Sequence, residues 1–321
     1  MLIFALRGIA VSLTFFVLLY CLLSALVAVT WRSLRLLHAT ERSLVALLFA
    51  LRILPLVASV VITFAFVVPS FQLLEPRSID EGMGTMPLAL GICALLLIAC
   101  GCFRVIAAQT QTSRVVARWL EGAHPLNIAA SQRPARIDTN TVTFQSRREA
   151  PPLTLVGVRK SKVLVSESTV ALLSLAELHI ALKHEIEHMR SRDNLKKLIF
   201  RFCPFPGMAK LESAWSQAAE LAADDAAVST LDDAIDLAAA LVKLSRLIPV
   251  EVAPVCTVGF VTGSISARVA RLLAWDESGK PHPAPTRWYV IPPVLLALLC
   301  IFATYGPVLS LTHQLTEWLV R

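Results

Sequence analysis

The sequence predicts a mainly α membrane protein, with four transmembrane helices and an α+β domain inserted between the third and the fourth. Three observations predict it. Hydrophobic residues make up 56% of the 321, with a mean hydropathy of +0.66, whereas soluble domains run at roughly 45–50% apolar. The excess is gathered into four runs, each near the ~20 residues that cross a bilayer core. Between the third and fourth runs lies a more polar stretch, 109–287, long enough for one domain and patterned with short strands and helices.

The first run spans Ile9–Thr30. Arg7 precedes it as in a secretory signal, but the run is long and no small-x-small site follows it before Arg32, so it reads as an anchor. Trp31–Arg42 carries Arg32, Arg35 and Arg42 against Glu41. The second run is Ile53–Phe71. Arg52, at its start, is expected to snorkel to the interface, and Leu44–Leu51 to approach along the headgroups. Pro55 and Pro69 are expected to kink or end this helix. The loop Gln72–Thr85 holds Glu75, Asp80 and Glu81 against Arg77. The third run is Met86–Ala108. The fourth is Trp288–Leu311, with Trp288 and Tyr289 as interfacial anchors, followed by a short tail, 312–321.

Lysine and arginine bias sets the orientation. The first loop is basic, the second is acidic, and the 109–287 segment opens with Arg114 and Arg118. One topology fits: a multi-pass protein of the cell (inner) membrane, both termini extracytoplasmic, the inserted domain cytoplasmic. The net charge of +7 borders the apolar runs, so lipid headgroups account for it and no direct nucleic-acid binding is expected. The seven cysteines form no Cys-x-x-Cys pair, and most fall in or beside apolar runs; they read as small hydrophobes rather than a disulfide framework.

Inside the domain, Leu153–Val156 and Val163–Val165 read as strands around a turn, and either could pair with an extended substrate by strand addition. Ser174 with Glu177 three residues on is a capping-box pattern; the helix it opens should run to about Arg192. Leu195–Met208 mixes aromatics with Lys196, Lys197 and Arg201, a composition that suits a membrane surface or a helix end packed on the core. Helices are expected at Leu211–Leu231, Ala234–Leu247 and Ser264–Ala274.

The helix after Ser174 carries His184-Glu185-Ile186-Glu187-His188. Residues four apart share a helix face, so the two imidazoles can grip one metal ion, and Glu185 can reach a metal-bound water as general base. A catalytic zinc, Zn2+, takes three protein ligands and keeps one position open. Glu220, in the alanine-rich Ala219–Asp225 stretch, is the candidate third ligand, with Glu212 as its rival. Asp224, one turn beyond Glu220, can accept the spare N–H of a liganded imidazole. Asp193 can do the same for the other, or cap the helix end. Glu187 and Asp225 read as surface residues; His179, His124 and His282 read as structural or surface histidines.

These motifs resemble the gluzincin core of the BlaR/MecR-type antirepressor membrane metallopeptidases. The resemblance rests on His184-Glu185-x-x-His188, Arg192-Asp193 and Glu220-Leu221-x-Ala223-Asp224. It extends to the strand pair, the Cys203-Pro204-Phe205 stretch and Ser264–Leu273, and so covers most of the chain. It implies four spans and a cytoplasmic zinc-peptidase domain cleaving a cytoplasmic regulatory protein, such as a DNA-binding repressor, in signal transduction. The sensors of that family carry a penicillin-binding-type domain after the fourth span, for which 312–321 leaves no room. The expectation is therefore a short form, its signal reaching it through a lipid, the outer loop or an extracytoplasmic sensor partner. The family also tends to place a basic residue just before the zinc glutamate, where Ala219 stands here, so a local salt bridge would be lost. HtpX-like quality-control metalloproteases are the second reading. A non-catalytic scaffold with a structural zinc is a third, and needs a fourth protein ligand. A transporter fits poorly with so few intramembrane charges.

Overall fold

The structure, a computed structural model, describes residues 2–35, 40–75, 84–125, 143–146, 151–158, 161–247, 257–259, 265–276 and 291–320. The expectations for Asp80 and Glu81 in the second loop, for His282 and for the Trp288–Tyr289 anchors fall outside them. The fold is mainly helical. Its helices are α1 Leu2–Arg35, α2 Glu41–Ile62, α3 Val68–Leu74, α4 Thr85–Leu120, α5 Glu167–Leu172, α6 Leu175–Arg190, α7 Asp193–Phe202, α8 Ala209–Ala227, α9 Leu231–Ser245, α10 Ile265–Leu273 and α11 Ile291–Val320. The strands are β1 His124–Pro125, β2 Thr143–Ser146, β3 Leu153–Val156, β4 Lys162–Ser166 and β5 Thr257–Gly259.

Among the described residues, three stretches are long and apolar enough to cross a membrane: Ile3–Ser33, Glu41–Leu74 and Thr85–Leu120. Each exceeds the apolar run that predicted it, because the helix continues past the apolar core into polar sequence. In the second stretch α2 continues past Pro55 without ending, and a π-helical turn, Thr63–Val67, joins it to α3. Pro69 has no N–H to give the carbonyl of Ala65 four residues back. The Tyr305 hydroxyl of α11 donates to that carbonyl at 2.9 Å, so a proline-made vacancy in one helix becomes the docking point of another.

The helix bundle and the domain are joined by donors from the spans reaching the C-terminal carbonyls of α7. A helix leaves its last carbonyls without partners. The Arg52 guanidinium donates to Phe200 O at 3.2 Å and Cys203 O at 2.5 Å, and the Tyr20 hydroxyl to Pro204 O at 3.1 Å. Arg52 also binds Glu212 Oε1 at 2.9 Å. This corrects two expectations. Arg52 is buried rather than snorkelled, and Leu44–Leu51 is not a headgroup approach: Val45, Leu48 and Leu51 pack with Phe200, Leu211 and Trp215. Lys196 lies over Phe49 and Trp215, so the basic-aromatic stretch packs on the spans and α8.

Gly101 on α4 sits against the backbone of Phe202, where an added Cβ would collide with the carbonyl oxygen. A backbone atom cannot rotate away, so α4 and α7 must part. Gly101→Ala is expected to cost ~1–3 kcal/mol, read as a lower midpoint of thermal unfolding in detergent.

The sheet order is β1-β2-β4-β3-β5; β2 and β4 are parallel and the other pairs antiparallel. β3 and β4 therefore lie inside the sheet, each flanked on both sides. The expectation that one of them offers a free edge to an extended substrate is overturned, and among the described residues the edges are β1 and β5. The domain core packs Leu153, Leu155, Val163 and Val165 of the sheet against α6, α9 and Leu272 of α10.

Candidate metal centre

The site is built on α6. Its first turn is fixed by the capping box read from the sequence: Glu177 N donates to Ser174 Oγ at 3.1 Å and Ser174 N to Glu177 Oε2 at 2.7 Å. Lys243 Nζ holds the same carboxylate at 2.7 Å, tying α9 to this turn. Three turns on, His184, Glu185 and His188 all point inward, each at most 1% exposed. Glu220 comes from α8, where it is buried together with Ala223 and Asp224.

His184 Nε2 lies 3.1 Å from His188 Nε2, and Glu220 oxygens lie 3.5 Å and 3.6 Å from the two. Donors at ~2.0–2.1 Å around a tetrahedral ion stand about 3.3–3.4 Å apart. The three could therefore hold a metal ion. Their far sides are anchored. His184 Nδ1 is 2.9 Å from Asp224 Oδ1, and His188 Nδ1 is 2.7 Å from Asp193 Oδ2. Each carboxylate favours a proton on Nδ1, which leaves Nε2 as the donor facing the centre.

Asp193 gets there through a backbone device. Arg192 takes φ 54°, ψ 41°, the left-handed conformation, so the chain reverses between α6 and α7 and Asp193 folds back onto His188. Side chains with a Cβ pay ~1–2 kcal/mol in that region. Arg192→Gly is expected to leave thermal stability unchanged or raise it. Arg192→Val, whose β-branching adds strain beyond what Arg192 already bears, should lower stability and weaken metal binding with it.

Arg268 of α10 closes the site from behind. It donates from Nε to Asp224 Oδ2 at 2.8 Å, from Nη2 to Asp224 Oδ1 at 2.6 Å, and from Nη1 to Glu220 Oε2 at 2.8 Å. The sequence reading overlooked it. Its signal was an arginine within the apolar stripe Ile265, Val269, Leu272, where a lone charge needs a buried partner. It also supplies the cation beside the glutamate that Ala219 does not. Glu212, the rival third ligand, is held by Arg52 instead. Asp225 pairs with Arg271 and Glu187 with Arg190 at the surface. His124 is exposed.

The electrostatics favour a cation at the centre. Burial would raise the Glu220 carboxyl, yet His188, His184 and Arg268 hold it well below the usual carboxylate range. Burial would lower the His188 imidazole, but the charge of Glu220 and the bond to Asp193 outweigh it and push the group up to about 10. A metal ion bound there would take the place of that proton. Glu185 stands apart: neither oxygen has a hydrogen-bond partner, and burial pushes its carboxyl up to about 7, the nearby histidines only partly opposing it. A buried, unpartnered carboxylate is costly.

Comparison with protein-family models and with curated proteins finds no match. The chain is a largely helical protein that has, among its described residues, three helices able to span a membrane and a buried His184, His188 and Glu220 group that could bind a metal ion.

Proposed function

We propose that this chain is an integral-membrane zinc metalloendopeptidase that cleaves a cytoplasmic regulatory protein such as a transcriptional repressor. The observation that carries the reading is the Glu185 carboxylate, buried and without a hydrogen-bond partner beside three convergent metal donors. His184, His188 and Glu220 would hold zinc, which when bound supplies Lewis acidity and lowers the pKa of a water to near neutral. Glu185 takes the proton of the attacking water and delivers it to the leaving amine. Asp224 and Asp193 fix the imidazoles through Nδ1, and Arg268 fixes Asp224 and Glu220.

Among the described residues the cluster offers three protein donors and no fourth, which favours an open, catalytic site over a structural one. In this reading α11 is the fourth span, both termini lie outside the cell membrane, and the zinc domain lies in the cytoplasm beneath the basic first loop. The test is to compare protein N-termini in cells carrying the wild type with those carrying Glu185→Gln. The proposal expects cytoplasmic N-termini that only the wild type generates. Identical sets would sink it.

A further inference from the structure

At the other end of the bundle, a second group of donors meets. Glu75 follows α3, and His313 and Glu317 stand one turn apart on α11. One donor atom from each of the three lies within 4.8 Å of the other two. Glu75 Oε2 is 3.9 Å from His313 Nδ1, and His313 Nε2 is 3.6 Å from Glu317 Oε1. These separations are too long for hydrogen bonds. They run from opposite ring nitrogens, of which one ion takes only one; the set that could converge on an ion is that one nitrogen with one oxygen from each glutamate. His313 Nδ1 is buried and has no hydrogen-bond partner. Arg7 Nη2 approaches the other Glu75 oxygen, Oε1, at 3.7 Å, which leaves Oε2 turned towards the imidazole.

The place of this group in the fold follows from α1. That helix is continuous from Arg7, beside Glu75, to Trp31, which packs with Trp215, Ala218 and Ala219 of α8 next to Glu220. Twenty-four residues of helix rise about 36 Å, somewhat more than the ~30 Å of a bilayer core. The two donor groups thus lie at opposite ends of the span bundle.

We propose that Glu75, His313 and Glu317 form a second divalent-cation site, of the zinc class, on the membrane face opposite the His184 centre. One imidazole with two carboxylates suits a first-row transition ion better than calcium, which takes six to eight oxygens. The two acidic side chains and Arg7 leave one net negative charge, so a dication is electrostatically favoured. Glu317 is the most open of the three, its side chain 48% exposed against 16% for His313 and Glu75, and gives the ion its approach. An ion held there would tie the end of α3 to α11, the helix that Tyr305 already joins to the π-helical turn just before α3. The proposal goes beyond the hydrolytic reading and stands or falls apart from it.

The test counts metal on the full chain, purified in detergent with a histidine-free tag, titrated with zinc, and analysed by calorimetry and elemental analysis. Wild type is expected to bind one equivalent more than His313→Ala. His184→Ala/His188→Ala is expected to keep one equivalent and to lose it when His313→Ala is added. Calcium should not compete. The equivalent that His313→Ala retains at the His184 centre reports that it is folded. If that variant loses all its zinc, the exposed Glu317→Gln decides, and should weaken only one of the two binding events. Equal zinc content in wild type and His313→Ala, two unaltered events in Glu317→Gln, or displacement by calcium would overturn the proposal.

Discussion

Glu185→Gln is expected to lower the rate of substrate cleavage by about 10²–10⁴-fold while leaving the metal content of the protein unchanged. The two halves of that result come from different features of the site. Glu185 is not among the three convergent donors, and neither of its oxygens is hydrogen-bonded, so glutamine removes a charge and a proton acceptor without undoing a contact. A second, independent readout follows from burial. A carboxyl raised to about 7 when folded but ordinary when unfolded binds more protons in the folded state between those two values. By linkage it costs stability as pH rises from about 4.5 towards 7. In the metal-free protein, thermal unfolding midpoints measured across that window are expected to fall less steeply with pH in the glutamine variant than in wild type. Parallel slopes would show that the carboxylate is not desolvated as described.

Arg268→Ala is expected to have the largest effect on the fold of the site. Arg268, Asp224 and Glu220 are each at most 3% exposed, and the guanidinium makes three charged hydrogen bonds to the two carboxylates. Breaking a buried ion pair by removing one partner costs about 3–5 kcal/mol, because the other charge is left without compensation. Zinc affinity should fall by about 10–100-fold as the support behind Glu220 and His184 is lost. Arg268→Lys keeps the charge but not the fork that grips both Asp224 oxygens, so an intermediate loss in both quantities is expected. Thermal unfolding with and without zinc, together with competition against a chelator, measures both. A stability loss with unchanged zinc affinity would assign Arg268 to the fold alone.

Much of the centre was legible in the sequence because its geometry is local. Histidines four apart on a helix must share a face, as must Glu220 and Asp224, and Ser174 with Glu177 starts the helix at a definite residue. Alanines around Glu220 announced close helix packing. What was not legible depends on contacts between residues far apart in the chain. Arg268 meets Asp224 across 44 positions and Arg52 meets Glu212 across 160, and a local pattern that marks an arginine among apolar residues does not name its partner. The sheet misled for a related reason. β3 and β4 were readable as apolar runs, but β2 and β5 are short and ordinary in composition, so the strands that cover their edges carried no signal. The π-helical turn before Pro69 was equally silent, and so was the Tyr305 hydroxyl that reaches its Ala65 carbonyl from another helix.

The central claim is that His184, His188 and Glu220 hold zinc with one position left for water. The most direct measurement is zinc X-ray absorption on the purified His313→Ala chain loaded with a single equivalent, which confines the signal to this centre. The account predicts two imidazole nitrogens and one carboxylate oxygen from the protein plus one further oxygen, with the spectrum altered by His184→Ala and unaltered by Glu185→Gln. Four protein donors, a sulfur in the coordination sphere, or a spectrum indifferent to His184→Ala would contradict it.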